Sequence, residues 1–422
     1  MNACPVDTLC GPEVSADETG SVCVAARLNR LSLWPQVLPL PGGDEGAFPQ
    51  VAAAPVFVAA ADRQRMAQAV HALHELLASP AWAAHALAQA PAIAGFDPGN
   101  AGVLYGFDFH LTAEGPKLIE INTNAGGALI STAVMRLQNR CCGAVADPVA
   151  EAAAAEQAIL DSFLTEWRMV RDTAGPRRVA IVDEGPGSQY LREEFRLFAR
   201  LFQSAGVEAV ICDPRELEGG AGGLSHRGQP VDMVYNRLTD FYLDAPALAP
   251  LREAYLGGAV VLSPHPRGHA LFADKRHLAR LCDPDFLSAM GMTALQQAAI
   301  LDVAVPTRIV GRAQAEALWR ERRSLYFKPV GAFGGRGAYE GAKLTRTTFE
   351  RLLDEDYVAQ AYVPAPRRRV FVDAMPAELK YDVRCYVYRG DIQLLAARLY
   401  RGQATNFRTA GGGFATVHVV PN

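Results

Sequence analysis

The chain has 422 residues, half of them hydrophobic, and a formal net charge of −4. Such a length exceeds one small core and implies about two or three domains. The low, mixed charge gives no basis for nucleic acid or an anionic membrane as partner. The cysteines at Cys4, Cys10, Cys23, Cys141, Cys142, Cys212, Cys282 and Cys385 lack metal-ligand spacing, and a chain this long needs no disulfide scaffold. No charged start leads into an apolar stretch and no run reaches the length of a membrane span, so a cytoplasmic location is expected.

Residues 1–45, rich in Pro, Gly and small polar side chains, read as an extended N-terminal arm. Met66, Val70, Leu73, Leu76 and Leu77 recur at helical spacing and predict a helix over Asp62–Leu77, with a second over Pro80–Ala90. Strand pattern runs from Gly102 to Ile121 and is broken by Thr112-Ala-Glu-Gly-Pro116, which is turn chemistry, so a β-hairpin is expected. Helices follow over Ala128–Asn139 and Asp147–Arg171. From Arg177 the style changes. A strand at Arg178–Asp183, a helix at Gln189–Gln203 and a strand at Val207–Cys212 form a βαβ unit and predict a parallel sheet. Glu218–Gly223 reads as a flexible loop, and Asp232–Asn236 and Ala259–Leu262 continue the sheet.

From Pro264 the pattern is mixed. Helices are predicted at Lys275–Leu281 and Gln314–Arg322. Strands are predicted at Leu325–Pro329, Val358–Val363, Tyr381–Tyr388, Ile392–Leu399 and Ala415–Val419. The basic run Arg367-Arg368-Arg369 reads as a solvated loop. Four segments result: an arm over 1–45, a helical segment with the hairpin over 46–172, a small doubly wound domain over 173–262, and a mixed lobe over 263–422.

The chemistry-bearing residues fall on these elements. Glu120 and Asn122 are two apart on one strand and share a face, and a turn centred near Glu114 puts Asp108 nearly opposite Glu120. Two carboxylates and an amide oxygen then converge, a hard-oxygen set suited to Mg²⁺; a plain surface hairpin is the other reading. Lys328 ends an apolar strand ahead of a loop with Gly331, Gly334, Gly335 and Gly337. A strand-end ammonium can meet phosphates there, and glycines let backbone N–H groups approach an anion. It is not a Walker loop. Lys275 alone would be an ordinary helix-start lysine, and its value comes from the set. Arg384, Arg398, Arg401 and Arg408 lie over successive strands and a loop. Guanidiniums on apolar strands want anions and bind phosphate or carboxylate bidentately. The glycines around Gly412 suit a mobile lid.

Together these segments resemble the ATP-grasp superfamily of carboxylate–amine ligases. The likeness covers about residues 102–132 and 264–419. Asp382-Val-Arg384 through Asn406-Phe-Arg408-Thr-Ala-Gly-Gly412 is similar to a segment of ribosomal-protein glutamate ligases and prokaryotic glutathione synthetases, where the metal hairpin follows directly. Here the hairpin comes first. That order, with Ile119-Glu-Ile-Asn-Thr early and a Rossmann-like insert holding Tyr235-Asn-Arg237, resembles eukaryotic-type glutathione synthetase.

The resemblance implies an α/β architecture: an α+β ATP-grasp fold, circularly permuted, with an inserted Rossmann-like doubly wound domain. It implies ATP and Mg²⁺ as cofactors. Asp108, Glu120 and Asn122 would hold metal. Lys275, Lys328 and the loop glycines would meet phosphates, and Gln360, Ala361 and Val363 would form the adenine hinge. Arg398, with Arg384 or Arg408, would stabilise transferred phosphate, and Arg237, Asn406 and Gly412 would contact substrate. In eukaryotic glutathione synthetase a metal-holding glutamate closely follows the Lys-Pro pair; Val330, Gly331 and Ala332 stand there instead. Asp373 and Glu378 are candidates for a ribose-binding acid. The implied reaction joins a small carboxylate to an amine, amino-acid- or peptide-like, through an acyl phosphate. A phosphotransferase on the same ATP site, or a nucleotide-binding module without catalysis, are the alternatives, and a homodimer stays open.

Overall fold

The computed structural model describes residues 51, 52, 54–138, 148–171, 174–331, 334–372, 375–406 and 409–422. The expected N-terminal arm, Arg408, Asp373 and the Cys141-Cys142 pair lie outside them. In chain order the strands are β1 (Val56–Ala59), β2 (Tyr105–Thr112), β3 (Gly115–Asn122), β4 (Arg178–Val182), β5 (Glu208–Cys212), β6 (Leu217–Gly220), β7 (Gly223–His226), β8 (Gln229–Pro230), β9 (Met233–Asn236), β10 (Val261–Ser263), β11 (Thr307–Ile309), β12 (Leu325–Pro329), β13 (Tyr339–Glu340), β14 (Tyr357–Ala361), β15 (Arg367–Val372), β16 (Met375–Tyr388), β17 (Asp391–Tyr400) and β18 (Gly413–Val420).

The largest sheet has the order β1-β18-β17-β16-β2-β3, with β15 added along the first half of β16. Its centre joins distant parts of the chain, for β2 runs antiparallel to β16 with Asp108 opposite Arg384. Alternation along β2 explains its placement. Phe107 and Phe109 are fully buried against Met66, Leu73, Leu76 and Leu77 of helix Ala60–Leu77. The even positions, Gly106 and Asp108, then take the opposite face. On β16, Tyr381, Val383 and Cys385 join the same core, leaving Asp382 and Arg384 on the face of Asp108. The two-residue connection Ala113-Glu114 closes the hairpin, and a bulge between Asp108 and Phe109 brings Asp108 opposite Glu120, the pair the sequence implies.

The second sheet, β10-β9-β4-β5, is parallel throughout. Helix Arg192–Ser204 covers it through Phe195, Phe198 and Phe202, which pack with Phe163 of helix Pro148–Val170. A third sheet, β11-β14-β12-β13, is antiparallel and has its own core of Phe327, Phe349, Leu352 and Ala359. No described helix is long and apolar enough to cross a membrane.

Several elements depart from expectation. Glu218–Gly223 is no loop: β6, β7 and β8 form a small antiparallel sheet there. Its glycines hide the strand signal, yet Leu217 and Leu224 anchor it in the core beneath. The Arg367–Arg369 run is strand β15 rather than a solvated loop. Period-2 geometry turns Arg367 and Arg369 to solvent and Arg368 fully inward, where its Nε donates to Pro55 O at 2.7 Å. The helix predicted from Lys275 is only His277–Arg280, preceded by a turn in which Asp274 accepts from the backbone and side chain of Arg276.

Candidate active site

A cleft of about 270 Å³ opens between the large sheet and the β11–β14 lobe. Asp108, Glu120, Asn122, Lys275, Lys328, Gly331, Gly334, Gly335, Gln360, Ala361, Val363, Arg384 and Arg398 all line it. Thirteen residues singled out in the sequence therefore meet at one place, drawn from three regions of the chain.

At the floor lies a buried charge cluster. Arg384 donates twice to Asp108, from Nε at 2.6 Å and Nη2 at 2.7 Å. Arg398 donates to Asp108 Oδ2 at 2.8 Å and grips Asp382 through two further bonds, while the Thr405 hydroxyl also donates to Asp382. Two carboxylates face two guanidiniums, so no net charge is buried among the four, and every oxygen has a donor. Burial alone would push the Asp108 carboxyl up, but Arg384 and Arg398 outweigh it and hold it well below the usual carboxylate range. The arginines are thereby fixed in place. Arg398 Nη1 keeps no partner among the described residues and is available to an oxygen in the cleft.

Asn122 Nδ2 donates to Asp108 Oδ2 at 3.0 Å and Glu120 Oε1 at 3.2 Å, so the three expected metal ligands do converge. Glu120 and Asn122 are half-buried and open to the cleft. Asp108 is 1% exposed, with three bonds on Oδ2 and one on Oδ1. Its pairing with two arginines 276 and 290 residues away was not legible in the sequence. Nor was a role for Asp382, although it stands in the Asp-x-Arg segment. Among the described residues no three His, Cys, Asp or Glu side chains form a metal cluster. The donor set here is two carboxylates and an amide. Hard oxygens of this kind suit Mg²⁺; Glu120 and Asn122 open to the cleft, while Asp108 is buried under its arginines.

Across the cleft, Lys328 is buried at the end of β12. Its ammonium donates to Gln360 Oε1 at 2.7 Å and Ile119 O at 2.8 Å, which ties the lobe to the hairpin. Burial pushes its pKa down to about 8, with Glu120 opposing and Lys275 assisting. Gly334, Gly335 and Gly337 adopt left-handed φ of 61°, 71° and 69°, a conformation that side chains disfavour. Gly337 itself stands outside the lining and is held beneath Tyr357, whose hydroxyl donates to its carbonyl. In the segment Ala361–Val363, the N–H groups of Ala361 and Tyr362 are engaged by Pro306 O and Ser324 O.

The remaining residues named from sequence stand apart from the lining. Arg237 is buried at the end of β9, donating from Nη1 to Asn124 Oδ1 and Tyr235 OH, with Nε unpartnered. Asn124 itself reaches the cleft. Asn406 braces its own loop, donating to Arg401 O and Ala404 O. Gly412 is packed so that a Cβ would meet Leu399 O at 2.6 Å. Arg401 is exposed. His110, Thr123, Thr239, Phe241 and His269 line the cleft without having been singled out. Thr123 ends the Ile119-Glu-Ile-Asn-Thr run, and for the others only placement reveals them.

No family model matches the chain, and no curated protein does either. Solved structures do resemble it. A glutathione synthetase-like effector from Globodera pallida superposes with a TM-score of 0.56 at 13% identity, covering 88% of this chain and 90% of that one. A gamma-glutamylcysteine synthetase-like protein from Methylobacillus flagellatus gives 0.47 at 12% identity, over 73% of this chain and 78% of that one. The ATP-grasp ligase PsnB gives 0.30 at 12% identity, over 58% of this chain and 90% of that one. The first of these establishes a shared fold with that glutathione synthetase-like effector.

Proposed function

We propose that the chain is a circularly permuted ATP-grasp ligase that joins a small carboxylate to an amine with release of ADP and phosphate. On this reading the parallel sheet β10-β9-β4-β5 is the inserted Rossmann-like domain. One observation carries the proposal. Two lysines, a hard-oxygen set and two clamped arginines meet in one cleft, where the hairpin β2–β3 pairs with the distant strand β16.

In this reading Lys275 and Lys328 bind ATP phosphates, the Gly331–Gly337 loop covers them, and Gln360, Ala361 and Val363 border the base. Glu120, Asn122 and Asp108 would hold Mg²⁺, which supplies charge neutralisation at the β- and γ-phosphates. Arg398, through Nη1, and Arg384 face the γ-phosphoryl as it moves to the substrate carboxylate, whose oxygen attacks phosphorus. The resulting acyl phosphate is opened by the amine, which displaces phosphate. Because Asp108 and Asp382 fix both guanidiniums beforehand, little reorganisation accompanies charge build-up on the equatorial oxygens. Arg408 is assigned with Arg398 and Arg384 to the transferred phosphate, and Arg237, Asn406 and Gly412 to the substrate side. The free thiols of Cys212, Cys282 and Cys385 agree with a reducing, cytoplasmic setting.

The test is ADP formation over a panel of amino acids, dipeptides and polyamines offered as acids and amines, with Glu120→Gln beside wild type across a Mg²⁺ series. ADP release that needs both an acid and an amine is expected, with Glu120→Gln lower by two or more orders of magnitude, roughly the cost of losing a charged ligand to the metal. ADP release needing only an acceptor hydroxyl would replace ligation by phosphoryl transfer. Unimpaired Glu120→Gln turnover at low Mg²⁺ would remove the hairpin from the metal site.

A further inference from the structure

His110 lies on β2 two residues beyond Asp108 and also lines the cleft. Its Nδ1 is 2.9 Å from the carbonyl oxygen of Val363, at the end of the segment that follows β14. A carbonyl only accepts, so Nδ1 carries the proton and Nε2 of the neutral ring is a bare acceptor. Nε2 has no partner among the described residues. The ring cannot turn to offer Nδ1 instead without breaking the bond to Val363.

The surroundings make this acceptor unusual. The N–H groups of Ala361 and Tyr362 are engaged elsewhere in the fold, and Lys328 is held by Gln360 and Ile119 O. Ile119 and Ala365 add apolar walls nearby. A flat heteroaromatic ring placed here meets apolar surface and, in Nε2 of His110, a hydrogen-bond acceptor of fixed direction.

We infer that His110 selects the nucleobase: Nε2 accepts the exocyclic 6-amine of adenine and disfavours a 6-oxo purine, whose O6 is itself an acceptor. The inference rests on the proposal that this cleft binds ATP with its base beside Ala361–Val363. Acceptor facing acceptor leaves two buried polar atoms unsatisfied, a larger penalty than the loss of a single bond. His110 is here a specificity residue, with no part in the chemical step.

The experiment measures dissociation constants of MgATP and MgITP by calorimetry for wild type, His110→Ala and His110→Leu, each with a melting curve. ITP carries oxygen where ATP carries the amine. Wild type is expected to prefer ATP by about tenfold or more, the worth of one satisfied against one clashing polar contact. Both variants should bring the two constants within about threefold, chiefly by weakening ATP. His110→Leu fills most of the ring volume without either nitrogen and so guards against collapse of the Ala variant. Equal wild-type affinity for the two nucleotides overturns the inference whatever the variants do. So does an unchanged ratio in a folded variant, which would make His110 only a tie to Val363. If wild type binds neither nucleotide, the proposed function falls as well, and that outcome is distinct from the other two.

Discussion

Lys328 sits under the cleft, where its charged form loses solvation, and its pKa falls from 10.5 to about 8 in consequence. The sign of the effect can be followed through binding. A phosphate needs the ammonium, so above about pH 8 nucleotide binding must take up a proton. Affinity for ATP should be flat up to about pH 7.5 and then fall by up to about tenfold per unit. Lys328→Ala should bind ATP weakly at all pH and lose this slope, as calorimetry across a pH series would reveal. A wild-type slope that survives in Lys328→Ala would assign the titration to another group. Stability runs the other way. Between about 8 and 10.5 the unfolded chain holds a proton that the folded chain has lost, so folding stability rises with pH in that window. Lys328 was legible in the sequence because a lysine at the end of an apolar strand, ahead of glycines, has few structural uses. The carbonyl of Ile119 that receives it was not, since nothing local marks a backbone oxygen as a partner for a residue 209 positions away.

Among the elements, β15 shows why charge patterns mislead when burial is unknown. Three consecutive arginines look solvated, yet a strand turns alternate residues to opposite faces. Arg368 is held inward by Pro55 O and Arg369 O, lies over the Phe57 ring at 5.7 Å, and has its pKa pushed down to about 10 by burial. Arg367 and Arg369 face Glu378 at the surface instead. Arg368→Ala should therefore lower stability by about 2–4 kcal/mol, through lost buried bonds and packing. Arg367→Ala should cost about 0–1 kcal/mol, as an exposed pair does. Urea unfolding of the two variants gives the comparison, and equal losses would place Arg368 at the surface. The hairpin β2–β3 was legible for the opposite reason. Its period-2 alternation and turn residues are local, so the approach of Asp108 to Glu120 was legible, whereas the bulge between Asp108 and Phe109 that completes the register was not. Elements β6 to β8 escaped because glycine-rich strands lack the β-branched signal, and their pairing is visible only with the fold in hand.

At the scale of the whole molecule, the cleft is where separately cored parts meet. The large sheet closes only when β16, near the C-terminus, pairs with β2, and the arginines of β16 and β17 then reach Asp108. The β11–β14 lobe has its own core and touches the hairpin side through Lys328, Gln360 and Ile119 O. The parallel sheet has a further core under β4 and β9. A nucleotide bound in the cleft would contact β3, β12 and β14 together but would not reach β5 at the sheet's far edge. Ligand that binds only the folded state stabilises it by about 2.7 kcal/mol at a hundredfold excess over Kd. That stabilisation should be distributed unevenly, because local openings differ in which contacts they break. Hydrogen exchange with and without MgATP should slow amides of Ile119–Asn122, of Leu325–Pro329 and of Tyr357–Val363 in parallel. Amides of Glu208–Cys212 should slow only to the extent that global unfolding does. The Glu120→Gln and Lys328→Ala variants serve as controls for weak binding and should show reduced protection at the same concentration. Protection confined to the β11–β14 lobe, with the hairpin unchanged, would mean that the nucleotide does not span the cleft and that Glu120 and Asn122 are not part of its site.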